Sequence, residues 1–146
     1  MASSRDVELE TATFPRPAEG ELSLLNVLWR IGPATVREVH SALTDERGEG
    51  AVGYTTVLKL LQIMTDKRLV QRDERNRSHI YHAKRPREET QKQLVRELLD
   101  RAFAGSARQL VLQALSTQKA STEDLVEIQL LIDSMKRTSK RKGTTR

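Results

Sequence analysis

The sequence predicts a mainly α-helical chain with one small β-hairpin, and three observations support that class. Apolar residues recur at intervals of three and four along several stretches, the period of a helix with one buried face. Two short runs, Leu69–Asp73 and His79–Ala83, flank a charged turn from Glu74 to Ser78, as in a hairpin. Thr35, Ser106 and Ser121 are followed three residues later by Glu38, Gln109 and Asp124, the spacing of a capping box at a helix start.

Residues 1–18 mix small, polar and proline residues without sustained periodicity and read as a flexible leader. A first helix follows from Glu19 to Ile31, where Leu22, Leu25, Leu28 and Trp29 share a face and Gly32-Pro33 ends it. Thr35 and Glu38 open a short second helix ending at Ala42 or Leu43, and Asp45–Gly50 reads as a polar loop. A third helix spans Tyr54–Lys67 with Val57, Leu60, Leu61 and Met64 on its apolar side. Three short helices and then a hairpin tipped by Arg75, Asn76 and Arg77 form the layout of a winged helix-turn-helix, assigned to residues 19–86.

After Pro86 the pattern is purely helical. Glu88 and Glu89 suit a first turn, Leu94, Val95, Leu98, Leu99, Ala102 and Phe103 follow, and Gly105 closes this fourth helix. Two further helices carry Leu110, Val111, Ala114 and Leu115, then Leu125, Ile128, Ile132 and Met135. Residues 87–136 are thus a helical region, and 137–146 a basic tail expected to be disordered.

Composition excludes several classes. The 146 residues contain no cysteine, which removes disulfides, thiolate catalysis and cysteine-built metal sites. Neither an apolar run of about 20 residues nor a signal-peptide core is present, so no membrane insertion is expected and the cytoplasm is the expected location. His40, His79 and His82 form no metal-ligand or catalytic pattern, and there is no glycine-rich phosphate loop. No enzyme activity, metal or cofactor is expected.

Charge is distributed unevenly. Residues 1–52 carry a net −4, 53–87 a net +6, 88–135 a net −3 and 136–146 a net +6. Two separate basic zones point to a polyanionic partner, here double-stranded DNA. On the third helix Tyr54, Thr55, Thr56, Lys59 and Gln62 face outward near the end that enters a major groove, where Thr reads several base edges and Gln suits adenine. Arg75 and Arg77 on the wing, with Lys67, Arg68 and Arg72 beside it, suit phosphates or a minor groove. The amides at the start of the second helix, next to Arg37, offer another phosphate contact.

The last three helices are too small to bury their apolar faces alone. Pairing two copies through Leu94, Leu98, Leu99, Phe103, Leu110, Leu115, Leu125, Ile128 and Ile132 would cover them. Such a homodimer presents two recognition helices to an inverted-repeat operator. An intramolecular three-helix subdomain is the alternative reading of the same residues.

The stretches Leu25-Asn26-Val27-Leu28-Trp29, Gly32-Pro33-Ala34-Thr35-Val36-Arg37-Glu38-Val39, Tyr54-Thr55-Thr56-Val57-Leu58 and Leu60-Leu61-Gln62 resemble the penicillinase repressor family, of the BlaI, MecI and CopY type. The resemblance covers residues 20–135 and implies a dimeric repressor with an N-terminal winged helix, a C-terminal dimerisation region and a palindromic operator. It also implies release by a sensor-linked protease that cuts the fourth helix just before a phenylalanine, a place matched by Ala102 and Phe103. Copper-responsive relatives bind metal through C-terminal cysteines, which this chain lacks. Two residues depart from the pattern: Ile63 stands where an arginine is common, and Arg68 replaces a helix-closing glycine, so strain of about 1 kcal/mol or a different cap is expected. Competing readings are a regulator of the MarR or PadR type and a winged helix that docks protein.

Overall fold

In a computed structural model of the chain, residues 16–143 are described. In chain order they form α1 (Glu19–Ile31), α2 (Val36–Arg47), α3 (Tyr54–Asp66), β1 (Val70–Asp73), β2 (Ile80–Ala83), α4 (Arg87–Ala102), α5 (Ala107–Thr117) and α6 (Thr122–Gly143). Most of the expected leader, residues 1–15, lies outside the described residues, as do 144–146.

The chain divides into two compact units, one ending at Arg96 and the other beginning at Glu97. Sequence patterning puts the border at Pro86; the structure puts it inside α4. The reason is local packing: the Trp29 indole N–H donates to the Arg85 carbonyl at 3.0 Å, and Thr90 is buried beside Leu25, Trp29 and Leu69. The first turns of α4 therefore belong to the N-terminal core.

That core is one cluster. Leu24, Leu25, Val27 and Leu28 from α1 meet Val36, Val39 and Leu43 from α2 and Val57, Leu61 and Met64 from α3, with Leu69, Val70 and Tyr81 closing the side. Each such side chain contributes about 1.5–3 kcal/mol on leaving water. On α1 the buried stripe is rotated from the one expected, since Leu22 and Trp29 are only half-buried. The second helix also runs a full turn past Leu43. Gly48, at φ 93°, closes it by donating to the Thr44 carbonyl, while Arg30 to Glu46 (2.8 Å) and Arg47 to Ser23 Oγ (2.9 Å) clamp the added turn to α1.

The hairpin is antiparallel, pairing Val70 with Ala83 and Asp73 with Ile80. Tyr81 and Ala34 exchange backbone hydrogen bonds of 2.9 and 2.8 Å, so the α1–α2 turn acts as a minimal third strand and fixes the wing to the helices. Between α3 and β1 the chain turns through Arg68 at φ 63°. The Leu69 N–H reaches the Met64 carbonyl and the Arg68 N–H the Thr65 carbonyl, the paired bonds of a Schellman closure. The arginine thus adopts the geometry usually left to glycine.

In the second unit, Ser106 Oγ accepts the Gln109 N–H to start α5, and Ser121 and Asp124 cap each other reciprocally before α6. Ala104 (φ 49°) and Gly105 (φ 78°) make the α4–α5 corner. The tail expected to be disordered from residue 137 is helical as far as Gly143. No proline or glycine interrupts α6 before that residue, and lysine and arginine near a helix C-terminus are favoured by its dipole. Among the described residues no helix is long and apolar enough to cross a membrane.

Candidate nucleic-acid interface

The three-to-four spacing of Val57, Leu61 and Met64 fixes the orientation of α3. All three are fully buried, so Tyr54, Thr55, Thr56, Lys59 and Gln62 are turned to solvent together, joined by Ile63. The N-cap, Gly53, supplies no side-chain cap, which leaves the first amide donors of α3 without that partner. His40 carries no sequence signal that ties it to this site, yet it supports the entry to α3. Its Nε2 is 2.9 Å from the Val52 carbonyl and its ring meets the Tyr54 ring edge-on at 5.8 Å.

A second group of cations gathers around β1. Arg68, Arg72, Arg75 and Lys84 line one shallow groove with Asp73 and Glu74. Arg72 pairs with Glu74 at 2.6 Å, and hydrogen bonds to Tyr81 and Glu74 hold its guanidinium above the ordinary arginine range. Arg75 is almost wholly exposed. Its backbone N–H and its side chain both donate to Asp73 Oδ1, at 3.0 and 3.1 Å, and hold that carboxyl below the usual aspartate range. Exposed pairs of this kind are weak in water and can exchange partners with a phosphate. Arg37 and Arg77 are exposed but line neither this groove nor the α3 face.

Two groups expected to contact DNA already have partners within the fold. Lys67, its side chain 35% exposed, holds its ammonium 2.5 Å from the buried Glu21 carboxylate. At the start of α2 the Thr35 N–H and Glu38 N–H are taken by their own capping box, so those two amides are not offered to a ligand. The pairing of Glu21 with Lys67 carries no local signal in the sequence, because the two lie 46 residues apart.

The second unit has no buried side chain between Glu97 and Arg141. Of the residues expected to pair subunits, Leu94, Leu99, Phe103, Leu110 and Ile128 are half-buried, while Leu98, Leu115, Leu125 and Ile132 are exposed. Leu112, Leu130, Leu131 and Met135, not singled out for pairing by the sequence, are exposed by half or more. Ala102 is the last residue of α4, so the Ala102–Phe103 bond lies at the end of that helix rather than within it.

The sequence profile described as penicillinase repressor matches residues 17–134, most of the chain. The chain belongs to the penicillinase repressor family. The transcriptional regulator BlaI of Mycobacterium tuberculosis is 34% identical over 102 residues, covering 69% of this chain and 72% of that protein. Among solved structures, the Bacillus licheniformis BlaI monomer in complex with the blaP half-operator aligns at a TM-score of 0.43 and 17% identity, over 52% of this chain and 89% of that one. Bordetella bronchiseptica BpsR aligns at 0.40 and 19%, over 93% and 88%. As a member of the penicillinase repressor family the chain is a transcriptional regulator and not an enzyme. Membership also removes the MarR and PadR readings, since the match spans both the winged helix and the helices after it.

Proposed function

We propose that this chain is a repressor that binds a palindromic operator in double-stranded DNA as a homodimer in the cytoplasm, with one α3 in the major groove of each half-site. The observation that carries this reading is the division of α3: Val57, Leu61 and Met64 lock it to the core, and Tyr54, Thr55, Thr56, Lys59 and Gln62 stand out on the opposite side. A rigid helix with short hydrogen-bonding side chains near its N-terminus is what base-edge readout requires. Lys59 supplies charge for a guanine or a phosphate, and Gln62 matches adenine. Arg68, Arg72, Arg75 and Arg77 take phosphates and set position without specifying sequence.

Pairing of subunits follows from the second unit's lack of a core. Helices whose leucines are half exposed have a large apolar surface to cover, and a second copy of the same helices covers it isologously. Cleavage of the Ala102–Phe103 bond by a sensor-linked protease would part these helices from the winged unit. Exposure of Ala102 and Ala104 supports access to that bond.

Selection of random duplexes by the purified chain, followed by sedimentation of the complex, tests the proposal. Enrichment of inverted half-sites bound by two chains is the expected result. A chain that stays monomeric at micromolar concentration and retains no duplex at low salt, behaving as a protein-docking winged helix would, overturns it.

A further inference from the structure

The last acidic residue of α6 is Asp133 and its last large apolar residue is Met135. Beyond them the helix carries only cations, hydroxyls and a closing glycine. Lys136, Arg137, Lys140 and Arg141 fall at positions i, i+1, i+4 and i+5, so two rows of two cations lie side by side on one strip, all exposed. Lys136, Arg137 and Lys140 line one shallow groove together with Asp133 and Ser139.

Helix chemistry alone does not account for this strip. A helix C-terminus carries roughly half a negative charge, which one or two cations complement. Four cations within two turns exceed that, and like charges at i, i+4 repel. Nor is this the mixed-sign surface that solubility favours. Without the six cations of residues 136–146 the chain would hold nineteen basic against twenty acidic side chains, a net of −1. The segment alone makes the protein cationic.

We propose that this strip is a second, sequence-independent contact to duplex DNA, holding phosphates beside the operator; the inference rests on the DNA-binding reading above. Successive cations in a row are about 6 Å apart along the helix axis, and a duplex presents one negative charge per about 1.7 Å of its length. Every cation therefore finds a phosphate without a required register. A helix that lies in a membrane interface interleaves large apolar side chains with its cations, and none follows Met135; surface attraction to anionic lipid is the outcome that the vesicle arm of the test separates.

The test compares the full chain with the variant Lys136→Gln, Arg137→Gln, Lys140→Gln, Arg141→Gln on two duplexes, the bare selected operator and the operator with unrelated flanks, across a salt titration. Glutamine keeps the helical propensity of these exposed positions, and circular dichroism checks that it does. On the flanked duplex the salt slope of the variant falls by about 3 to 4, at about 0.9 for each phosphate no longer neutralised. Discrimination between operator and scrambled sequence stays as it was. The charge-keeping variant Arg137→Lys, Arg141→Lys retains the original slope. Equal slopes for the chain and the glutamine variant overturn the proposal, as does a variant that loses binding to phosphatidylserine vesicles but not to DNA. If the full chain ignores both duplexes, the DNA-binding reading fails and takes this proposal with it; operator binding with no dependence on the strip removes this proposal alone.

Discussion

The Lys67 ammonium sits 2.5 Å from Glu21 Oε1, joining the residue that ends α3 to the first turn of α1. The same oxygen accepts the Ala18 N–H at 2.9 Å, and the Glu21 side chain is 3% exposed. A buried carboxylate with one oxygen unpaired depends on its single cation. The pair thereby fixes the far end of α3 against α1.

Removing the cation leaves the carboxylate uncompensated, so Lys67→Met is expected to destabilise the winged unit by about 2–3 kcal/mol, at the lower edge for breaking a buried pair because Lys67 is one-third exposed. Glu21→Gln costs less, since the amide oxygen still accepts both donors. Urea unfolding reads the difference. The salt slope of operator binding by Lys67→Met, measured below its unfolding transition, stays unchanged; a drop equivalent to one phosphate would return Lys67 to the DNA.

Arg68 separates stability from binding in the opposite sense. Its φ of 63° costs a non-glycine residue about 1 kcal/mol, which Arg68→Gly relieves in the fold, less the entropy glycine adds to the unfolded chain. The variant is expected to match or exceed the parent in thermal midpoint while neutralising about one phosphate fewer in a salt titration. A clear fall in stability would mean that the arginine side chain itself packs against the fold and offsets its backbone strain.

Much of this architecture is local and was legible for that reason. The Thr35–Glu38 box, the Val57, Leu61 and Met64 face and the existence of the hairpin all follow from neighbours within about a turn of helix or across one short turn. What could not be read depends on residues distant in sequence. Glu21 meets Lys67, Ala34 meets Tyr81, and Arg30 and Ser23 hold the last turn of α2, each pairing set by tertiary packing alone. The exposed side of α3 was legible as a face; which of the neighbouring cations the protein keeps for itself was not.

The α3 face and the wing are expected to fail differently. Thr56→Ala or Lys59→Ala lowers discrimination between the operator and a mismatched site by about 1–3 kcal/mol for each base edge that is no longer read. Arg75→Ala with Arg77→Ala weakens all duplexes alike and reduces the salt slope by about two. Competition binding with matched and scrambled duplexes distinguishes the two, and a pair of helix variants that behave like the wing variant would remove α3 from the groove.

Acid should loosen the wing. Asp73 is stabilised in its charged form by the Arg75 backbone N–H and then by the Arg75 side chain, so its folded value lies below the ordinary 3.8. A depressed carboxylate contributes its stabilisation fully above the unfolded value and loses it as pH falls through the folded one. The Asp73–Arg75 contact in the wing turn is therefore expected at neutral pH and is expected to be lost only below the usual aspartate range. An NMR titration of the Asp73 carboxyl carbon is expected to show a midpoint under 3.8, with the amides of residues 74–79 moving in the same window; a midpoint at or above that value would mean that Arg75 does not hold Asp73 in solution.

Leu112 on α5 and Leu131 on α6 are 50% and 62% exposed, in a unit where no described side chain is fully buried. A leucine that stays in water in the functional species can become glutamate at little cost, whereas one covered by a second subunit cannot, because the charge must then be desolvated. Leu112→Glu and Leu131→Glu are accordingly expected to shift sedimentation from dimer to monomer at micromolar concentration. The unfolding midpoint of the winged unit should not move, since its core of Leu24, Val39, Leu61 and Tyr81 lies in the other compact unit. Operator affinity falls with the dimer, because each half-site then binds without its neighbour. Two glutamate variants that remain dimeric would show that these leucines face water in the assembled protein and would move the subunit contact to another surface.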